Sequence, residues 1–373
     1  MGLPLKNIRV LDLTRLLPGP YCSQLLADFG AEVIKVEEPN LGDYARWNEP
    51  KAGEYSAMFE SLNRNKKSVA MNLKDEKDRN LFKELVKTAD VLIESFRPGV
   101  MDRLGIGYDI LKEINPKLVY CAITGYGQNG PYQDKPGHDI NYLSYAGLLH
   151  FNGRKGEKPI PPATQIADIG GGALMGAVGI LTALMGRNES GKGQFVDISM
   201  TDGVVSWLQS ILPEFLAGNE KQKGELTLSG GKACYGVYET ADGRYLSVGA
   251  LEEKFWKVFC EGIERPDFIP LLESPIQVQE QLRKEIEQII YKRSLKEWMD
   301  IFENADACVS PVLTLEEMIN DPQIKARDMI VNFEDTRQIG LPIKLSDTPG
   351  EIRTKAPKLG EHNEEVFSKL QLK

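Results

Sequence analysis

Over its first 125 residues the chain alternates short apolar runs with amphipathic stretches, and no other feature of the sequence constrains the fold as strongly. Ile8 to Leu13, Glu32 to Val36, Ser68 to Leu73, Asp90 to Ile93 and Leu118 to Ile123 read as strands. Pro20 to Phe29, closed by Gly30, and Asp75 to Thr88 and Tyr108 to Ile114 read as helices between them. Strands separated by helices predict right-handed βαβ units on a largely parallel sheet, with ligands at the carboxyl ends of the strands. The expected class is therefore α/β, with a Rossmann-like large domain.

Further along, Gly125 to Pro136 is rich in Gly, Asn, Gln and Pro and reads as an exposed loop, where such folds usually carry function. Phe195 to Ser199 reads as a strand and Thr201 to Leu216 as a helix. From about residue 225 the texture changes. Cys234 to Glu239 and Tyr245 to Gly249 flank a turn at Ala241-Asp-Gly243, a hairpin signal, and helices follow around Lys254 to Cys260 and Gln277 to Ile290. We expect a large domain over 1–200, rejoined by about 325–373, a linker helix over 201–224, and a small α+β domain over 225–324.

Composition narrows the function classes. A net charge of -9 across 373 residues argues against a general nucleic-acid-binding surface, although a local basic cluster remains compatible with a phosphorylated ligand. Five scattered cysteines with no CxxC pair argue against a disulfide framework or a cysteine-rich zinc site, and fit a reducing cytoplasm. Only three histidines occur, so a polyhistidine metal site is not expected. The start, Met1 to Lys6, shows no basic segment followed by an apolar run, and no export signal is expected. The apolar stretch Ile169 to Met185 falls short of about 20 residues and reads as a buried helix rather than a membrane span. The first βα turn, Leu13-Thr-Arg-Leu-Leu-Pro-Gly-Pro20, puts two prolines where N–H donors would cradle a pyrophosphate, which speaks against an NAD or FAD site.

Two segments carry candidate chemistry. Gly137-His-Asp-Ile-Asn-Tyr142 follows the flexible loop and opens a helix; a histidine beside a glycine suits proton transfer, because imidazole titrates at about 6.5. The plainer alternative is a helix start capped by Asp139, with His138 as surface polarity. Asp168 precedes Ile169-Gly-Gly-Gly172 and the apolar helix. It is either an N-cap or an ionisable group in a pocket whose glycines and helix N–H groups would stabilise an oxyanion. Basic residues in Asn63-Arg-Asn-Lys-Lys67, and Lys74, Arg97 and Arg103, lie near strand ends, where they would suit a polyphosphate ligand.

Taken in order, these segments resemble CoA-transferase family III, the group that holds carnitine and formyl-CoA transferases and α-methylacyl-CoA racemase. The resemblance rests on Val10-Leu-Asp-Leu-Thr14, Gly19-Pro20, Leu25 to Val36, Arg97-Pro-Gly99, Thr124-Gly-Tyr-Gly127, Asp168 to Gly172, Gly191-Lys-Gly-Gln-Phe-Val-Asp197 and Leu359-Gly-Glu-His362, which together span the chain.

It implies an acyl-CoA substrate, no further cofactor, no metal, no nucleic-acid or membrane partner, and an interlocked homodimer. In the transferases the residue matching Asp168 is a nucleophile; in the racemases it is one of two bases, the other matching His138. Glu252, in Gly249-Ala-Leu-Glu-Glu-Lys-Phe-Trp256, matches a glutamate that supports the racemase site, here across the dimer interface. Asn72, Leu73, Lys74, Arg97, Arg103 and the segment Gly137 to Tyr142, with Asp139, would hold the CoA. Related racemases carry an arginine where this chain has Glu38, and Arg46 is expected to take over that phosphate contact. The intact Gly-His-Asp-Ile-Asn-Tyr segment favours racemisation or epimerisation of 2-methylacyl-CoA thioesters, with CoA transfer through a covalent Asp168 intermediate as the alternative.

Overall fold

The computed structural model describes residues 2–370. Contacts divide the chain into two units: one contains Pro162–Trp207 together with the chain up to Gly147 and from Ala326 onward, the other Leu148–Pro161 and Leu208–Lys325.

The first unit is built on six parallel strands, β1 (Arg9–Asp12), β2 (Glu32–Glu37), β3 (Lys66–Ala70), β4 (Val91–Glu94), β5 (Val119–Thr124) and β6 (Phe195–Ser199), in the order β3-β2-β1-β4-β5-β6. Val10 of β1 lies opposite Val33 on one side and Val91 on the other. All four residues of β4 and all six of β5 are buried, as strands covered on both faces require, which is why they read as continuous apolar runs. Helices Pro18–Asp28 and Glu76–Val86 supply two of the crossovers. The chain winds outward from β1 through β2 to β3, and in the other direction from β4 through β5 to β6, so the sheet changes direction between β1 and β4. In such sheets the crevice at the carboxyl ends of the two central strands is the usual ligand site.

The second unit holds the expected hairpin, β7 (Tyr235–Glu239) and β8 (Tyr245–Gly249). A third strand, β9 (Val309–Pro311), which periodicity does not reveal, pairs with β8. Gly243, in the turn, has φ 71°, a conformation that favours glycine. Helices Glu253–Gly262, Ile276–Ile290 and Leu295–Phe302 pack Trp256, Phe259, Leu282, Ile286, Trp298 and Phe302 into one core.

Two expectations about organisation are corrected. The helix expected over 201–216 is broken into Met200–Ser206, a short turn at Leu208–Ser210 and Leu212–Leu216. Pro213 lies at the start of the last piece, because its ring cannot follow a preceding turn of helix. Residues 201–224 are therefore no single linker helix, and they fall in both units. Leu148–Pro161, expected in the large domain, belongs to the second unit, where Lys155 pairs with Glu225 and Glu280, each at 2.9 Å.

Candidate active site

Asp168 lies in the first turn of a helical run, Ala167–Ser190, that begins as a wider π-helix over Ala167–Leu174 and continues as an α-helix from Met175. Its carboxyl is half-buried. Desolvation, reinforced by the negative charge of Asp139, pushes it up to about 7 from an ordinary 3.8. A carboxyl so tuned is divided between acid and base near neutrality, the condition under which proton transfer is most efficient.

His138 is exposed and sits at the N-cap of the helix Asp139–Tyr145, its backbone N–H donating to the side chain of Asn141 at 3.0 Å. Asp139 does not cap its own helix. Its carboxylate reaches across to the other candidate segment and accepts the backbone N–H of Ala167 at 2.6 Å and of Asp168 at 3.0 Å. The residue after His138 thus caps the helix that carries Asp168, and it joins two segments thirty residues apart in the chain.

Tyr142 completes the junction. Its hydroxyl donates to the Gly137 carbonyl at 2.6 Å, and its ring packs so closely under Gly125 and Gly137 that a Cβ at either would approach it within 2.7 Å. Burial and the nearby Asp168 charge push this phenol up to about 12, with Arg97 opposing the rise. Gly137, His138, Asp139, Tyr142, Asp168 and Arg97 therefore lie in one neighbourhood. Around it the Tyr126 ring stands edge-on to Tyr132, Tyr142 and Tyr145, and Lys135 donates to the Tyr145 hydroxyl at 2.9 Å. Apart from Tyr142, this tyrosine cluster was not anticipated; its only sequence signal is the spacing of aromatics through an otherwise polar loop.

The three glycines after Asp168 lie hard against neighbouring elements. A Cβ on Gly170 would overlap the Trp207 ring, on Gly171 would stand 2.5 Å from the Met200 carbonyl oxygen, and on Gly172 would meet Met200 and Pro18. They let the helix Met200–Ser206 and the helix Pro18–Asp28 approach closely.

The other expected residues separate into two groups. Asn72, Leu73 and Lys74 follow β3, with Asn72 N–H held by Asp78 at 2.7 Å and the Lys74 carbonyl by Arg79 at 2.7 Å; Arg97 and Arg103 follow β4 and are exposed. All five lie beyond the carboxyl ends of their strands. Arg46 is corrected. It is fully buried, paired through two nitrogens with Glu37 at 2.6 and 2.9 Å, donating to the Pro357 carbonyl at 3.0 Å and lying over the Tyr55 and Phe59 rings, so it is closed off from a phosphate in solvent. Arg64 and Lys66 are likewise buried, on Asp28 and Asp12; Arg64 precedes β3 and Lys66 is its first residue, so neither lies at its carboxyl end. Glu252, in the second unit, is an exposed N-cap whose carbonyl accepts the N–H groups of Phe255 and Trp256.

The model of CoA-transferase family III matches residues 5–363. The chain belongs to this family. Within CoA-transferase family III it is 36% identical over 375 residues to the alpha-methylacyl-CoA racemase of Homo sapiens, covering 98% of this chain and 93% of that one. It is also 35% identical to the acetyl-CoA:oxalate CoA-transferase of Acetobacter aceti, covering 96% of this chain and 93% of that one. A crystal structure of a CAIB/BAIF family protein from Brucella suis superposes with a TM-score of 0.87 at 28% identity, over the whole of both chains. Family III thus accounts for the sheet and the whole length of the chain, and it includes both racemases and transferases among the relatives.

Proposed function

We propose that this family III protein is a racemase or epimerase that inverts the α-carbon of 2-methylacyl-CoA thioesters. The observation that carries the reading is the capping of Asp168 by Asp139. It ties the His138 segment to Asp168, whose carboxyl is raised to about 7 by burial and, after that, by the Asp139 charge, and so is poised as acid or base. One of the two groups takes the α-proton from one face of the carbon, leaving an enolate; the other returns a proton to the opposite face. The protons balance, and the two residues exchange roles when the substrate hand is reversed. Glu252 of a second copy supports the pair. The reading needs no metal or further cofactor, and it has the enzyme work in the cytoplasm as an interlocked homodimer, with no nucleic-acid or membrane partner. Support for the dimer comes from an exposed apolar stripe, Leu174, Val178, Leu181 and Met185, on the helical run 167–190. That run is long and apolar enough to cross a membrane, with mean hydropathy 1.7, and half of it is buried inside the protein.

The second reading, CoA transfer between an acyl-CoA and a carboxylic acid through a covalent Asp168 intermediate, is favoured by the 35% identity to the oxalate CoA-transferase. In that chemistry the carboxylate attacks as an anion, a form in which a group raised to about 7 is still present near neutrality.

The experiment is incubation of several 2-methylacyl-CoA thioesters in D2O. The expected result is deuterium at the α-carbon, with loss of at least about 1,000-fold in His138→Ala. Absence of exchange, together with hydroxylamine or borohydride trapping of an acyl or CoA adduct on Asp168, would establish the transferase instead.

A further inference from the structure

Arg15 lies three residues beyond the end of β1, and Phe96 two residues beyond the end of β4, so the two flank the crevice where the sheet changes direction. The Arg15 guanidinium carbon stands 5.0 Å from the centre of the Tyr44 ring and 5.5 Å from that of Phe96, and Nη1 donates to the Tyr44 hydroxyl at 3.0 Å. Among the described residues it makes no ion pair within 4.0 Å, and its one side-chain hydrogen bond is to that hydroxyl. The acid near it, Glu38, spends its oxygens on the N–H groups of Asn40 and Leu41 and on the Asn40 amide. Most of the guanidinium's N–H donors are thus left over at the one place where this topology is expected to hold a ligand.

The loop beneath is anchored from the interior. The Thr14 carbonyl, just before Arg15, accepts from the Lys35 ammonium at 2.8 Å; the Leu16 N–H, just after it, donates to the Asp43 carboxylate at 3.0 Å. Lys35 and Asp43 are themselves a fully buried pair at 2.9 Å. Leu16 is held at φ 66°, unfavourable for a residue with a side chain, and such strain persists only where the surroundings enforce it. Two buried charges thus fix the backbone on either side of an unpaired cation.

We propose that Arg15 binds a phosphate of the nucleotide end of coenzyme A, clasped between Tyr44 and Phe96 as its platform. The proposal rests on the CoA-thioester reading above. A planar guanidinium already fixed by two rings loses little freedom when it takes up a phosphate, and its parallel donors suit two phosphate oxygens.

The test compares wild type, Arg15→Met and Arg15→Lys in calorimetric binding of CoA, and in turnover of an acyl-CoA against the matching acyl-pantetheine thioester, which lacks the nucleotide. Arg15→Met is expected to weaken CoA binding by about 10- to 100-fold and to raise KM for the acyl-CoA similarly, with kcat within about 2-fold. The pantetheine thioester should be turned over as by wild type, and Arg15→Lys should restore part of the CoA affinity. Equal CoA affinity in wild type and Arg15→Met would overturn the proposal alone, as would an equal loss for the pantetheine thioester, since the loop would then serve only as structure. Failure of the wild-type chain to bind CoA would overturn the CoA reading and this proposal with it.

Discussion

The Asp139 carboxylate accepts the backbone N–H of Asp168 at 3.0 Å, so the neighbour of one candidate base is the cap of the other. A cap of this kind fixes position, because the N–H it accepts is that of the candidate base itself. It also places a like charge beside the Asp168 carboxyl, and this adds to burial in disfavouring the ionised form.

The two effects separate by substitution. Asp139→Asn keeps an acceptor oxygen and removes the charge, so the Asp168 carboxyl should fall below about 7, and the limb of the pH–rate profile that reports it should move to lower pH. Asp139→Ala removes both. It should shift the same limb, lower stability by about 1 kcal/mol through loss of the cap, and reduce kcat by about 10- to 100-fold through loss of position. Profiles of kcat/KM for the three proteins check this; an unmoved limb in Asp139→Asn would show that the charge does not reach Asp168.

Stability should carry the mark of Asp168 as well. Its folded pKa, about 7, lies above the unfolded 3.8, so between these values the native chain keeps a proton that the unfolded chain has lost. Stability contributed by this group is full below about pH 4 and declines as pH rises to about 7. Asp168→Asn has no such proton to lose. Its stability relative to wild type should therefore be near zero at pH 4 and rise to at most on the order of 4 kcal/mol at pH 8. Urea unfolding across this range reads the difference directly, and a gap that is constant with pH would contradict the assignment.

Two glycines on the same helical run should respond oppositely to alanine. A Cβ on Gly171 would lie 2.5 Å from the Met200 carbonyl oxygen, and a Cβ on Gly203, which faces it, would lie 2.4 Å from the Gly171 Cα, so in either case backbone must move. Gly171→Ala should cost about 1–3 kcal/mol and disturb the turn that carries Asp168, lowering turnover too. Gly186 is exposed in the helix interior, with its nearest neighbour 3.9 Å from a new Cβ. Gly186→Ala should stabilise by about 0.5–1 kcal/mol through reduced freedom of the unfolded chain, without change in turnover. Thermal melts of both variants distinguish close packing from mere flexibility as the reason for glycine here.

What was legible in the sequence follows from the range of the forces involved. Strands such as Phe195–Ser199 and the helix Tyr108–Ile114 were read to the residue, because periodicity and flanking breakers are local. Pairings between distant segments left no such trace. Asp12 reads as one polar residue in an apolar strand; in the structure it accepts from Thr14, Ser23 and Lys66 and is fully buried. Lys66 and Arg46 looked like surface cations suited to phosphate because nothing nearby in sequence reveals a partner carboxylate. Asp139 was read as either the cap of its own helix or a CoA contact, since a cap is sought in the turn that follows. Its partners lie 28 and 29 positions on. The glycines at 170–172 were legible as glycines but not as to purpose. Openness toward a ligand and closeness to a neighbouring helix require the same residue type.

The apolar stripe on the run 167–190 gives the last prediction. Val178 is 57% and Met185 70% exposed, seven residues apart on one helical face with Leu174 and Leu181, while Gly176, Ala177, Ile180, Ala183 and Leu184 fill the opposite face inside the protein. A helix buried on one side and apolar on the other is covered by something, because surface of this kind drives association. If the cover is a second copy, replacing Val178 and Met185 together by glutamate places charges in an apolar contact. The protein should then pass from dimer to monomer in light scattering at micromolar concentration. The same variant should lose activity although both residues lie away from His138 and Asp168 in sequence, since Glu252 of the second copy would no longer reach the site. A double variant that remains dimeric and fully active would exclude this face from the subunit contact.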